Sequence, residues 1–164
     1  MRNSNVKAIA LGGLLAAVAV VIMCLGTFIP VATYICPMLC CMVEALVLKF
    51  CGKRIAWTWH AAVCILCMLM APDKEAAIVF VTLGFYPLIK QRLDFIKLGI
   101  LLKLLYFNIA VGISYAVMIC LLGMTQLISE NMELGYSGLA LLLVLGNITF
   151  LLLDRLLALI EKKK

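Results

Sequence analysis

Cys64 and Cys67 have the C-x-x-C spacing that thiol oxidoreductases use. In such enzymes a cysteine thiolate attacks a disulfide, and a nearby cation or helix N-terminus stabilises the thiolate. No Lys or Arg stands beside this pair, and the sequence offers no second dithiol loop. A membrane thiol oxidoreductase is therefore an alternative function, which predicts that Cys64→Ser and Cys67→Ser abolish activity.

Two pairs of side chains suit a soft metal such as copper, because His60 and Cys64 stand four residues apart, as do Met38 and Met42. Residues four apart share one face of a helix. Methionine and cysteine are also ordinary filling residues of helical bundles, and no complete ligand set is visible. The sequence predicts neither a metal site nor a cofactor.

Glu44 and Asn108 are polar residues inside otherwise apolar segments. Ionisable groups inside a membrane are costly and often functional, so Glu44 is a candidate for chemistry. It lies about two helical turns before Lys49 and Lys53, and an internal hydrogen bond or a pair with a basic neighbour is the alternative. Asn108 is a candidate substrate-binding residue, although amide side chains also bridge helices in membranes.

The composition predicts the elements that position these residues. Of the 164 residues, 66% are hydrophobic and only 13% are charged, whereas soluble domains are about half apolar with about a quarter charged. Long apolar runs predict helices that cross about 30 Å of hydrocarbon and satisfy their own backbone groups. We predict an all-α polytopic membrane bundle of one domain, with about six spans at about 8–29, 37–51, 55–70, 76–89, 98–124 and 138–159.

The basic residues support an alternating topology, since 13 of the 14 Lys and Arg fall on alternate connections and both tails. The positive-inside rule then places both termini in the cytoplasm of a multi-pass protein of the cell membrane. The outer face would consist of the loops Thr27–Pro37, Pro72–Glu75 and Thr125–Ser137. Because the net charge of +6 is divided among short turns rather than gathered in one patch, the lipid bilayer is a predicted partner and nucleic acid is not.

The segment Ala71–Lys90 combines a short charged loop with an apolar helix and is predicted to form a wall of a binding site. Asp73 is placed to cap the helix that follows, and Glu75 lies in its first turn, where the helix dipole favours a negative charge. Lys74 is the remaining basic residue and breaks the positive-inside pattern. It is a candidate contact for an anionic ligand, or it forms an ion pair with Asp73 or Glu75.

Small residues recur every fourth position along the first span, with Ala8, Gly12 and Ala16 on one line and Gly13 and Ala17 on the next. Such lines let two membrane helices approach closely. They predict either tight packing inside this bundle or docking on a separate membrane protein.

The run KAIALGGLLAAVAVV from Lys7 to Val21, the Pro30 turn and the six short spans resemble the substrate-binding S-component of energy-coupling factor transporters. The resemblance implies a subunit for uptake of a vitamin-like or other small molecule, which works with a membrane coupling subunit and separate ATPases. It implies docking through the small residues of the first helix. It also implies substrate binding under the outer loops, through Tyr34, Asp73, Lys74, Glu75, Asn108, Glu130 and Tyr136.

No P-loop, glycine-rich nucleotide motif or nucleophile elbow is present, so no enzyme activity is predicted and the energy for transport must come from a partner or an ion gradient. The alternative to uptake is a non-transporting assembly or regulatory subunit, whose small-residue faces bind other helices.

Overall fold

The computed structural model describes residues 2–26, 32–94, 99–123 and 126–162, and it places nearly all of them in seven α-helices. These described residues contain no β-strand, which confirms the predicted all-α class. The helices are α1 (Arg2–Leu25), α2 (Ala32–Cys51), α3 (Lys53–Met70), α4 (Lys74–Leu83), α5 (Phe85–Asp94), α6 (Gly99–Leu122) and α7 (Gln126–Lys162).

Four helices, α1, α2, α6 and α7, are long and apolar enough to cross a membrane, which is compatible with a membrane location. The predicted count of six spans is not confirmed. Helix α3 has 18 residues, but Lys53, Arg54 and His60 lower its mean hydropathy. The predicted span 76–89 is divided between α4 and α5, which have ten residues each, whereas one crossing needs about 20.

The predicted outer loop Thr125–Ser137 is wrong, because α7 begins at Gln126 and continues for 37 residues. Its first turns contain Leu, Met, Gln and Glu, which are good helix formers, and no proline interrupts them. The other boundary that differs is Pro37, which was expected to begin the second span but lies inside α2. Residues 27–31 of the predicted loop, including the Pro30 turn, lie outside the described residues.

Contacts between the ends of different helices define the two ends of the bundle. At one end, here called the basic end, the Lys49 ammonium donates to the Ile160 carbonyl at 2.6 Å, and the Cys51 thiol donates to the Ala8 carbonyl at 3.2 Å. At the opposite end, the hydroxyls of Tyr34 and Tyr115 lie 3.5 Å apart. Alternate helices therefore begin at alternate ends, and the Lys side chains of α2, α5 and α6 gather at the basic end.

Helix α4 is the centre of the bundle. Five consecutive residues, 76–80, are buried, which means that every face of this helix contacts protein. Helices α1, α6 and α7 instead expose many large apolar side chains, such as Leu14, Ile100 and Leu141. A lipid environment accommodates such an exposed apolar surface, whereas the polar residues described below are turned inward.

The break between α4 and α5 has a local cause at Pro87. A proline lacks the backbone N–H that would bond the carbonyl four residues earlier, and its ring crowds that carbonyl. The carbonyl of Thr82, one residue before Leu83, accepts a hydrogen bond at 2.8 Å from the hydroxyl of Tyr106 on α6. A side chain of another helix thus contacts the backbone beside the junction of α4 and α5.

Candidate functional site

A carboxylic acid and an imidazole meet in the interior of the bundle. Glu44 of α2 and His60 of α3 are both buried, and Oε2 of Glu44 lies 3.2 Å from Nδ1 of His60. We call these two residues the central pair. Glu44 stands seven residues before the end of α2, about 10 Å along the helix axis from the basic end. The central pair therefore lies inside the bundle rather than at one of its two ends.

Two other helices hold the imidazole in place. The ring of His60 contacts Phe85 of α5 at a centroid distance of 4.4 Å and Phe80 of α4 at 5.5 Å. At Gly84, between these two helices, an added Cβ would lie 2.5 Å from Cε1 of His60. The backbone at Gly84 therefore lies against the imidazole, and only glycine fits there.

On its far side the imidazole reaches a thiol, since Nε2 of His60 lies 3.4 Å from Sγ of Cys64. The carboxyl, imidazole and thiol form one hydrogen-bonded row across α2 and α3. The other carboxyl oxygen, Oε1 of Glu44, is buried with no hydrogen-bond partner among the described residues. The row is suited to holding and moving a proton.

The internal hydrogen bond that the sequence offered as one alternative for Glu44 is confirmed, and its partner is His60 on the next helix rather than Lys49 or Lys53. His60 and its neighbour Trp59 are buried, whereas Trp57 is exposed. No signal in a single sequence links two residues that meet only through the packing of α2 on α3.

A second polar centre lies at the basic end and is called the ionic cluster: Lys90, Asp94, Lys103, Asp154 and Glu161. The ammonium of Lys90 donates to Asp94 at 2.9 Å and lies 3.2 Å from Asp154 and 3.8 Å from Glu161. Lys103 pairs with Asp94 and donates to Asp154 at 2.9 Å. The Tyr86 hydroxyl also donates to Asp154, at 2.5 Å.

The cluster joins α5, α6 and α7. Lys90 is 2% exposed and Lys103 is 7% exposed, so both ammonium groups are removed from water and depend on the carboxylates. Asp154 pairs with the two lysines rather than with its sequence neighbour Arg155. Three helices must pack together before these charges meet.

A cavity of about 220 Å³ opens beside the ionic cluster, lined by Lys49, Lys90 and Glu161 among others. It lies at the basic end, opposite the loops where substrate binding was predicted. Its two ammonium groups already contact carboxylate or carbonyl oxygens, Lys90 in the cluster and Lys49 at Ile160. The cavity is therefore a gap in the packing beside the ion pairs.

The pH dependence of the protein's stability should reveal the contribution of the Asp94 charge. Asp94 lies at the end of α5, outside the four candidate spans. Burial alone would raise the pKa of Asp94, but hydrogen bonds from Lys103 and Lys90 outweigh it and hold the pKa below its usual value. A lowered pKa in the folded state stabilises the fold above the unfolded pKa, and this contribution disappears as pH falls through the folded value. The side chain is 39% exposed, so solvent screening keeps the effect small.

We therefore expect Asp94→Asn to lower the thermal stability in detergent at pH 7, by an amount that shrinks as the pH falls below the ordinary aspartate pKa of about 4. Melting curves of the wild type and the variant across this range measure the difference. A difference that stays constant with pH would contradict a role for the Asp94 charge.

At the opposite end, the predicted helix cap at Asp73 is confirmed. The predicted contact of Lys74 with an anionic ligand stays a prediction. Oδ1 of Asp73 accepts the backbone N–H groups of Glu75 at 3.0 Å and Ala76 at 3.1 Å, and Glu75 lies in the first turn of α4. The Lys74 ammonium donates to the carbonyls of Met68 at 2.8 Å and Ala71 at 2.9 Å. Lys74 thus caps the C-terminal end of α3, where a positive charge is favoured by the helix dipole.

Of the other predicted substrate residues, the structure describes the surroundings of Tyr34 and Asn108. The half-exposed Tyr34 contacts Tyr115 at the opposite end, near Asp73 and Glu75. Asn108 is paired with Asn147 of α7 through reciprocal amide hydrogen bonds of 3.0 and 3.4 Å, which is the helix-bridging alternative. Glu130 and Tyr136 belong to α7, and their side chains lie outside the described part of the structure.

The two small-residue lines of α1 point in different directions. Gly12 is buried, and its carbonyl accepts the Trp59 indole N–H at 2.9 Å. Ala8 and Ala16 on the same line are partly buried. Gly13 and Ala17 are exposed, and an added Cβ at Gly13 would meet no atom within 4 Å. The first line packs inside the bundle, and the second is open to another molecule.

All eight cysteines are free thiols in the described structure, and the Cys64 thiol contacts the imidazole of His60. Cys36 is buried, whereas Cys120 is exposed. Among the described residues no three His, Cys, Asp or Glu side chains are grouped so that they could hold a metal ion.

Compared with models of protein families, with curated proteins and with solved structures, the chain matches none. The chemistry to be explained is therefore that of its own two polar centres, the central pair and the ionic cluster.

Proposed function

We propose that this chain is the membrane-embedded substrate-binding subunit of an uptake system for a small, vitamin-like molecule, energised by a separate coupling subunit with ATPases. In this proposal it resides in the cell membrane, crosses it about six times with α4 and α5 counted as one pass, and has both termini in the cytoplasm. The basic end then faces the cytoplasm and the opposite end faces the substrate.

The observation that carries the proposal is a buried pair of ionisable residues beside the junction of α4 and α5. The α4–α5 break at Gly84 contacts His60, which pairs with Glu44 in the interior of an apolar bundle. Ionisable residues inside membranes characterise ion and substrate pathways. A purely structural bundle would be more stable with apolar packing at these positions.

Substrate recognition is proposed at the opposite end, around Tyr34, Tyr115, Asp73 and Glu75. These residues come from the starts of α2 and α4 and from the last third of α6. Two phenol rings and two carboxylates offer stacking surfaces and hydrogen-bond acceptors, which suit a polar, partly aromatic molecule.

The test is direct binding to the purified chain in lipid nanodiscs. A panel of vitamins and related micronutrients is screened by thermal shift and native mass spectrometry. A ligand at 100 times its dissociation constant stabilises the native state by about 2.7 kcal/mol. We expect one compound to bind and Tyr34→Ala to weaken it at least tenfold, while transport requires the partner proteins. A chain that binds no member of the panel but copurifies stoichiometrically with an unrelated membrane complex would contradict the proposal.

Neighbouring glycines on α1 allow docking to be separated from folding. We expect Gly13→Leu to leave the melting temperature unchanged and to abolish association with the coupling subunit, because this position is open. Gly12→Leu is the matched control. An added Cβ at Gly12 would already be in contact, 3.7 Å from Ile55 and 3.9 Å from Trp59. The larger Leu side chain should therefore overpack the bundle and destabilise it by about 1–3 kcal/mol. Thermal melts and copurification of both variants measure the two effects, and association that survives Gly13→Leu would place docking elsewhere.

A non-transporting assembly subunit is the second candidate, and the Asn108–Asn147 pair favours it. This amide pair lies on the exposed surface of α6 and α7, where lipid cannot hydrogen-bond with it. A polar side chain of a partner helix could cover it. Replacing both residues with Leu would release such a partner, whereas substrate binding in nanodiscs would persist if uptake is the function.

A further inference from the structure

We propose that the central pair is a proton-binding site, in which Glu44 is held as a neutral carboxylic acid and donates from Oε2 to Nδ1 of His60. The ligand is a single proton, shared between Oε2 and Nδ1, which lie 3.2 Å apart on side chains that are both at least 97% buried. The site itself does not depend on the proposed uptake function. Only its use as a coupling site rests on that function.

The carboxyl oxygen Oε1, which has no hydrogen-bond partner among the described residues, indicates the protonation state of Glu44. An ionised carboxylate shares its charge between two oxygens, and burying one of them without a hydrogen bond is strongly unfavourable. Oε1 of Glu44 is buried and unpartnered among the described residues. When the proton is on Oε2, Oε1 is an uncharged carbonyl oxygen, for which the penalty is much smaller. The geometry thus favours the acid.

The surroundings add no positive charge that would stabilise a carboxylate. Within the described residues, no Lys or Arg forms an ion pair with Glu44. The titratable groups that interact with it, besides His60, are the thiols of Cys40, Cys41 and Cys64 and the hydroxyl of Tyr106. All of these are neutral when protonated, and each would oppose a negative charge if it ionised.

The size of the site excludes a larger ligand. An added methyl group at Gly84 would come within 2.5 Å of the imidazole, and the rings of Phe80 and Phe85 cover the same side. The described residues also offer no group of three metal-ligating side chains. A proton is the ligand that needs no space of its own.

The hydrogen-bonded row continues from the imidazole to Cys64. With Nδ1 of His60 accepting from Glu44, Nε2 carries the imidazole hydrogen and donates to Sγ of Cys64 at 3.4 Å. Both ring nitrogens thus take part in hydrogen bonds, which fixes the tautomer that accepts from Glu44.

Infrared difference spectroscopy of the purified chain in nanodiscs tests the site without substrate or partners. We expect a carboxylic acid C=O band at pH 7, which shifts in D2O and is lost in Glu44→Gln. Glu161→Gln is the matched control, because it makes the same change in the ionic cluster, and it should keep the band.

A wild-type measurement covers the case in which Glu44→Gln does not fold. The chain has five glutamates and three aspartates, so ¹³C-glutamate labelling moves the band only if a glutamate carries the proton. Absence of the band in the wild type at pH 7, a band that ignores the label, or a band that persists in folded Glu44→Gln would overturn the proposal. Failure of uptake or of ligand binding leaves these spectra unaffected, so the two proposals fail separately.

Discussion

Gly84→Ala is expected to destabilise the protein by about 1–3 kcal/mol, the usual range for overpacking a filled interior. The added methyl group would lie 2.5 Å from Cε1 and 3.0 Å from Nδ1 of His60, and 2.7 Å from the carbonyl oxygen of Phe80. His60 cannot move aside easily, because the Phe80 and Phe85 rings and the Glu44 carboxyl hold it. Thermal unfolding followed by circular dichroism measures the loss.

Gly13→Ala is the control for this substitution, because it adds the same methyl group to a helix where no atom lies within 4 Å. Alanine is about 1 kcal/mol better than glycine in a helix, so the control should be neutral or slightly stabilising. The infrared band of the central pair adds a second readout, since displacement of the imidazole by Gly84→Ala should shift it. Equal melting temperatures for the two variants would show that the Gly84 contact is not tight.

Asp154→Asn is expected to cost about 3 kcal/mol, the lower part of the range for breaking a buried ion pair. Its carboxylate contacts both Lys90 and Lys103 and accepts the hydroxyl hydrogen of Tyr86. The amide removes the negative charge and leaves two buried ammonium groups with fewer partners. We expect the lower part of the range because Asp94 still pairs with both lysines.

The neighbouring substitution Arg155→Gln controls for loss of a charge on the same turn, because Arg155 is exposed. It should change the free energy of unfolding by less than about 0.5 kcal/mol. A double-mutant cycle with Lys103→Met isolates the interaction, and the double variant should recover part of the loss, since apolar packing replaces the unpaired ammonium. Additive effects of Asp154→Asn and Lys103→Met would show that the two side chains do not interact.

Sequence reasoning succeeded where the physics is local. The helical class follows from apolar runs that must satisfy their own backbone in lipid. The Asp73 cap follows from a side chain that bonds to N–H groups two and three residues later. The small-residue line of Gly12 was correctly connected with close packing as one of two alternatives, and the structure assigns it to the inside of the bundle.

Sequence reasoning failed where a segment taken alone fits two different structures. The polar run after Thr125 resembles a loop in composition, yet its residues are good helix formers and α7 begins at Gln126. The segment Lys74–Asp94 resembles one span, yet Pro87 divides it, and Tyr106 of another helix compensates the carbonyl of Thr82. The carbonyls of Met68 and Ala71 that accept from Lys74 are visible only in three dimensions.

The sequence by itself determined that this protein is a bundle of apolar helices with its basic residues on alternate connections, since helix period and hydropathy are properties of each segment alone. Only the tertiary structure decided which polar groups meet: Glu44 with His60, Asp154 with Lys90 and Lys103, and Asn108 with Asn147. Helical periodicity indicates which residues share a face. The rotation and neighbour of each helix depend on packing across the whole bundle, and that packing brought the acid, the imidazole and the broken helix to one place.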